Sequence, residues 1–236
     1  PRVWQLAHQA FQVGQSGTVE AFTAGLGGEY ARTRIDCRLV GRGAEGRLAA
    51  AYYGEDDQTL DFRTFQEHAA PDTTSDLLFK GALDGASHSI YSGLIRVRPE
   101  AVRTRAHQTN RNVKLSPDAW AESVPNLEIE TDDVVCSHAS TVSPVDEDQR
   151  FFLESRGVPT RVAERLLLEG FFQDVADAAP VPAVAGILRE ALAERLDRRT
   201  GPEFSKNGNG SAATDSRPGG AGPAAADSDT SEGDAA

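Results

Sequence analysis

The chain has 236 residues, a net charge of −12, two cysteines and no methionine. That length accommodates a sizeable core in one or two domains. The acidic balance argues against a general phosphate-backbone binder, so no nucleic-acid partner is expected. Two cysteines far apart in sequence make a disulfide framework improbable and suggest a reducing, cytoplasmic setting. No apolar run approaches the length of a membrane span, and no secretory leader pattern is visible.

The chain opens directly into a strand-like pattern at Val3-Trp-Gln-Leu6. With no methionine anywhere, it reads as the C-terminal part of a longer protein. Short β-prone runs follow: Thr18–Phe22, Tyr30–Val40, Arg47–Tyr53, Thr59–Phe65, Ile90–Val97 and Asn126–Glu130. Turn residues separate them, as at Gly25-Leu-Gly-Gly28, Gly41-Arg-Gly43 and Gly54-Glu-Asp-Asp57. Alternation such as Leu60/Phe62 and Leu127/Ile129 gives each strand one buried face. Strands at this spacing fit a sandwich, a barrel or a β-solenoid, and no repeat of fixed length selects among them.

The pattern changes at Ser143. Ser143 is an expected N-cap and Pro144 an expected first helical residue, with Asp146, Glu147 and Asp148 complementing the helix dipole. Gly157 is the expected stop. A second helix should run from Pro159-Thr160 to Gly170, followed by Phe171 and Phe172, and a third amphipathic helix follows Pro182. The segments are thus 1–142, a β core; 143–199, a helical domain; and 200–236, an acidic tail. The tail is rich in Gly, Ala, Ser and Pro, too poor in apolar surface to offset its ordering entropy, and is expected to be disordered.

The main chemical candidates are Cys136 and His138. In an extended segment they share a face, with Cα atoms about 6.5–7 Å apart. A thiolate and an imidazole can contact one metal ion at about 2.0–2.3 Å, but two ligands leave a site incomplete. The remainder would come from elsewhere, including another chain. The alternative is that Cys136 is simply a small buried hydrophobe. His107 is a conceivable third donor for a stand-alone metal site.

Ser137 and His138 lie on opposite strand faces and offer no hydrolytic triad. The glycine turn at 25–28 lacks a phosphate-loop ending. Nothing reads as a self-sufficient enzyme site. A β-solenoid carbohydrate-active enzyme or binding domain is the rival reading, hinted at by Tyr52-Tyr53 and Phe62/Phe65.

Several segments together resemble one family: Leu60-Asp-Phe-Arg-Thr-Phe-Gln-Glu-His68, Asp76-Leu-Leu-Phe-Lys-Gly81, Ser92-Gly-Leu-Ile-Arg-Val97, Gln108-Thr-Asn-Arg-Asn112, Pro125-Asn-Leu-Glu-Ile129, Cys136-Ser-His138 and Ser155-Arg-Gly-Val158. In order and spacing they are similar to the SufB/SufD family of iron–sulfur cluster assembly proteins, and to SufD more than SufB. SufB-type chains tend to carry a cysteine in the region matching Arg111–Ser116, where this chain has none. Family members often continue with Gly after the histidine, whereas here Ala139 follows.

The resemblance implies a mainly β chain: a right-handed parallel β-helix core followed by a small C-terminal helical domain. It implies a non-catalytic scaffold that pairs with a SufB-like subunit through the β-helix. A transient iron–sulfur cluster would be shared at that junction, with Cys136 and His138 facing it. The helical domain would dock a SufC-like ATPase, with Arg156, Gly157, Phe171 and Phe172 as candidate contacts.

Overall fold

The computed structural model describes residues 2–200. The expected disordered tail at 200–236 therefore falls, beyond Thr200, outside the described residues.

Ten parallel strands form two sheets of five. The first holds β1 (Trp4–Val13), β3 (Tyr30–Leu39), β5 (Thr59–His68), β7 (His88–Val97) and β9 (Trp120–Ile129). The second holds β2 (Thr18–Gly25), β4 (Glu45–Gly54), β6 (Thr74–Leu83), β8 (Thr104–Lys114) and β10 (Val134–Pro144). Odd strands stack on odd and even on even, so the chain winds between the sheets and completes one rung with every two strands. The result is a parallel β-solenoid of five rungs, as the resemblance implied.

Successive rungs register closely: Tyr30, Thr59 and His88 lie on one ladder, a spacing of 29 residues. The repeat is conformational. On one side the chain turns at Ser16, Gly43, Asp72 and Arg103, all with positive φ; on the other at Gly28, Asp56 and Gly85. Left-handed backbone recurs at the corners of the first four rungs, and four different residue types fill it. A scan for repeated letters misses it.

Inward side chains fill the space between the sheets, with Ile35, Leu39, Leu48, Tyr52, Leu60, Phe62, Leu77 and Phe79 in one buried cluster. Along one edge, arginines from neighbouring rungs flank single acids. Glu67 lies between Arg38 (2.6 Å) and Arg98 (2.6 Å), and Asp72 between Arg42 (2.8 Å) and Arg103 (2.6 Å).

The switch from strand to helix comes later than the sequence suggested. Ser143 and Pro144 end β10, and the side chain of Asp146 caps α1 (Glu147–Glu154) by accepting from the Gln149 amide at 3.0 Å. Both Ser143 and Asp146 are competent caps; pairing of β10 with β8 through Pro144 decides between them. Helix α2 (Thr160–Asp177) continues through Gly170 and takes in Phe171 and Phe172, and α3 spans Pro182–Thr200.

Leu168, Phe172, Val175 and Ala176 of α2, with Leu188, Leu192 and Leu196 of α3, cover Ala49, Ala51, Tyr53 and Ala82 on the outer face of the second sheet. Strands and helices form one compact unit.

Candidate functional site at the open end of the solenoid

Among the described residues β9 and β10 form the last rung, each hydrogen-bonded to a single neighbouring strand. In β10, Cys136 registers with Ala106 and His138 with Gln108. Ala106 and Gln108 are buried inward-facing residues of β8, and registered residues of parallel strands share a face. Cys136 and His138 thus both face the interior side of the terminal rung, while Val135 and Ser137 face outward. The two donors share a face, as expected.

Their environments differ. Cys136 is half-buried and packs with Leu127 and Val134 against Ile95, Val97, Ala101 and Ala106. Burial pushes its thiol pKa up, against a smaller lowering by a backbone hydrogen bond to Ala106. The thiol is therefore protonated at neutral pH, and a metal or a base must displace the proton before sulfur can act as a ligand. His138 is exposed.

The remaining histidines lie elsewhere. His107 points to the outer face and hydrogen-bonds Ser137 Oγ at 2.7 Å, so it does not join Cys136 and His138, and that three-residue set is not assembled. His88 rests edge-on against Trp120, and His8 pairs with Asp36 at 2.9 Å. His68 is fully buried between Thr73 and Ser75, and burial lowers its pKa to about 4.

Among the described residues no group of three or more His, Cys, Asp or Glu could hold a metal ion. One thiol and one imidazole on an open end supply two donors of the four that a tetrahedral iron requires. They fit such a centre in part, with the balance drawn from outside the chain.

Sequence reasoning passed over the inward face of β8. Gln108, Asn110 and Asn112 are 2 %, 1 % and 1 % exposed, an amide row that starts beneath His138 and continues beneath Ser140 and Val142. The signal lay in the Gln-x-Asn-x-Asn alternation, where a buried strand ordinarily carries aliphatics.

The lobe candidates separate. Phe172 is 3 % exposed in the layer between helices and sheet. Phe171 is half-buried, with its ring 5.1 Å from that of Phe172. Arg156 is exposed and stacks 3.4 Å above the Phe152 ring, and Gly157, at φ +85°, ends α1. The outward aromatics are Phe151 and Phe152, 70 % and 54 % exposed.

The residues that hinted at a carbohydrate platform fall mostly in the core: Tyr52, Tyr53 and Phe62 are at most 3 % exposed. The buried carboxylates Asp61 and Glu67 are held by arginines, which leaves neither free for acid–base work. No helix among the described residues is long and apolar enough to cross a membrane.

A five-rung parallel β-solenoid with a thiol–imidazole pair on its last rung and a small helical lobe defines this protein's class. Residues 1–171 match the family model described as "SUF system FeS cluster assembly, SufBD core domain". The chain belongs to the SufBD family, whose members take part in iron–sulfur cluster assembly. It is similar to an iron–sulfur cluster assembly SufBD family protein of Mycobacterium leprae, 38% identical over 198 residues, covering 80% of this chain and 50% of that protein. It is also similar to the cluster assembly protein SufD of Escherichia coli, 29% identical over 178 residues (75% of this chain, 42% of the other). SufD of Bacillus subtilis is 33% identical over 146 residues (62% and 33%). The chain spans half or less of the length of these relatives.

Proposed function

We propose that this chain is part of a SufD-like, non-catalytic scaffold subunit that works with a SufB-like subunit and a SufC-like ATPase in the cytoplasm. The observation that carries this reading is the placement of Cys136 and His138 on one face of an unsealed terminal rung, with no third donor among the described residues. A half-site at a solenoid end is what a cluster assembled between two subunits requires. The cluster is cargo: Cys136 would offer sulfur once deprotonated and His138 a ring nitrogen, with the SufB-like subunit completing the set. ATP hydrolysis would fall to the SufC-like partner.

The helical lobe would receive the ATPase. Burial of Phe172 shifts the anchor to Phe151 and Phe152, beside Arg156.

The test uses the full-length protein in its complex. His138→Ala should lower cluster yield while the subunits still co-purify, and normal yield would count against the ligand role. Replacing Phe151 and Phe152 together by Ala should weaken co-purification of the ATPase, and full retention would reject this anchor.

A further inference from the structure

The interior changes character toward its open end. The first two rungs enclose mainly aliphatic and aromatic side chains; from the third rung on the interior also carries polar ones, Thr64, Gln66 and His68, then Ser89, Gln108, Asn110, Asn112 and Ser123. Part of this polar group is self-satisfied. The Tyr52 hydroxyl donates to Asn112 Oδ1 at 2.7 Å, Asn110 Nδ2 donates to Tyr52 at 3.0 Å, and Asn112 Nδ2 donates to Asn110 Oδ1 at 3.0 Å. Gln108 is outside this net. Its carboxamide nitrogen and oxygen are both buried without a hydrogen-bond partner.

The amide has room because residue 93 is glycine: a Cβ there would lie 2.7 Å from Gln108 Nε2 and 2.3 Å from the Tyr91 hydroxyl. A buried amide with neither atom hydrogen-bonded calls for a purpose or a partner. On the neighbouring strand β10 the residue registered directly beside Gln108 is His138. Neighbouring strands stand about 4.8 Å apart, within reach of a glutamine side chain. Beyond the backbone pairing of β10 with β8, the His138 ring is left facing solvent.

Gln66, on the facing sheet, provides the internal comparison. It has the same two unpartnered atoms, but its registered neighbours are Cys37 and Ile95, neither of them a strong hydrogen-bonding group.

The geometry points to Gln108 as the positioning residue for His138. Turned from Gly93 toward β10, its carboxamide oxygen accepts the N–H of the inner ring nitrogen. That fixes the tautomer and leaves the outer nitrogen bare for metal, the arrangement a ligating imidazole needs. This inference rests on reading His138 as a cluster ligand, but it concerns the resting ring and is testable without a cluster.

The experiment is long-range proton–nitrogen correlation on the full chain labelled with 15N-histidine, with His138 assigned by its loss in His138→Ala. Wild type should show His138 in one dominant tautomer. Gln108→Met, similar in shape but without an acceptor, should convert it to a mixture, while Gln108→Glu should keep the wild-type form. Gln66→Met should leave it unmoved. The other four histidines report whether each variant is folded. If Gln108→Met fails to fold, Gln108→Asn, one methylene too short, must give the mixture instead. A mixture in wild type, or no change in the folded variant, would overturn the proposal. Normal cluster yield in His138→Ala would sink the ligand role yet leave the tautomer result standing, so the two failures are distinguishable.

Discussion

Lys80 Nζ on β6 lies 2.6 Å from Asp174 Oδ1 on α2 and donates to the Phe171 carbonyl at 2.8 Å, pinning the helical lobe to the sheet. The lysine side chain is 6 % exposed and the aspartate 57 %, so one partner is dry and the other half in water. Removing the aspartate strands a buried ammonium. Asp174→Ala should cost about 1–2 kcal/mol, less than a fully buried pair because Asp174 is screened. Lys80→Met combined with Asp174→Ala should recover most of that loss. Urea unfolding of the three variants checks it; a double variant worse than the single would refute the pin.

His68 gives the fold a measurable acid sensitivity. Burial holds its pKa near 4, below the ordinary 6.5, so the folded protein keeps it neutral. The unfolded chain takes up the proton first as pH falls. Its contribution is therefore complete above pH 6.5 and drains away toward pH 4, on the order of 3 kcal/mol in all. For Glu67, burial raises the pKa, but the hydrogen bonds and charges of Arg38 and Arg98 outweigh it and hold it below 4.5; its loss comes at lower pH. Thermal melts between pH 7 and pH 4.5 should fall steadily in wild type and more weakly in His68→Gln. Parallel slopes would show that His68 is not the cause.

The two thiols should be told apart by reactivity. Cys37 is 1 % exposed, and burial raises its pKa to about 11, whereas Cys136 is half-buried at the open end. Under native conditions at pH 7 a maleimide should modify Cys136 slowly and spare Cys37, with both reacting after unfolding. Mass spectrometry of digests reads the ratio, and equal native labelling would contradict the packing of Cys37.

Two glycines should respond in opposite directions to alanine. At Gly81 a Cβ would lie 1.9 Å from Tyr52 Cε2, inside the ring that organises Asn110 and Asn112. Gly81→Ala should destabilise by about 3 kcal/mol. At Gly170 in α2 nothing lies within 4 Å, and Ala should stabilise by about 0.5–1 kcal/mol. Denaturation midpoints decide, and a tolerated Gly81→Ala would mean that Tyr52 can move.

Much of this architecture is legible in the residues. Alternation located most strands of the first sheet, and the shared face of Cys136 and His138 follows from strand geometry alone. The rung was hidden because a single ladder carries Tyr30, Thr59, His88 and Trp120, alike in place and unlike in kind. The choice between solenoid, sandwich and barrel came from family likeness, since corner backbone angles leave little trace in side-chain identity. The fate of Phe171 and Phe172 was equally closed to sequence: an apolar helix stripe looks the same whether it covers its own sheet or a partner. The amide row of β8 entered only as part of the family likeness, since the letters Gln-x-Asn-x-Asn do not tell a buried polar face from a wet one.

Each rung is held only by its neighbours, so a solenoid loosens from its ends inward. Cys136 and His138 sit on β10, which among the described residues has β8 on one side and an unpaired edge on the other. The strand that presents the donors is thus one of those where loosening begins. A subunit adding a strand there would act as a splint, stiffening the metal-facing groups by the same hydrogen bonds that bring it close.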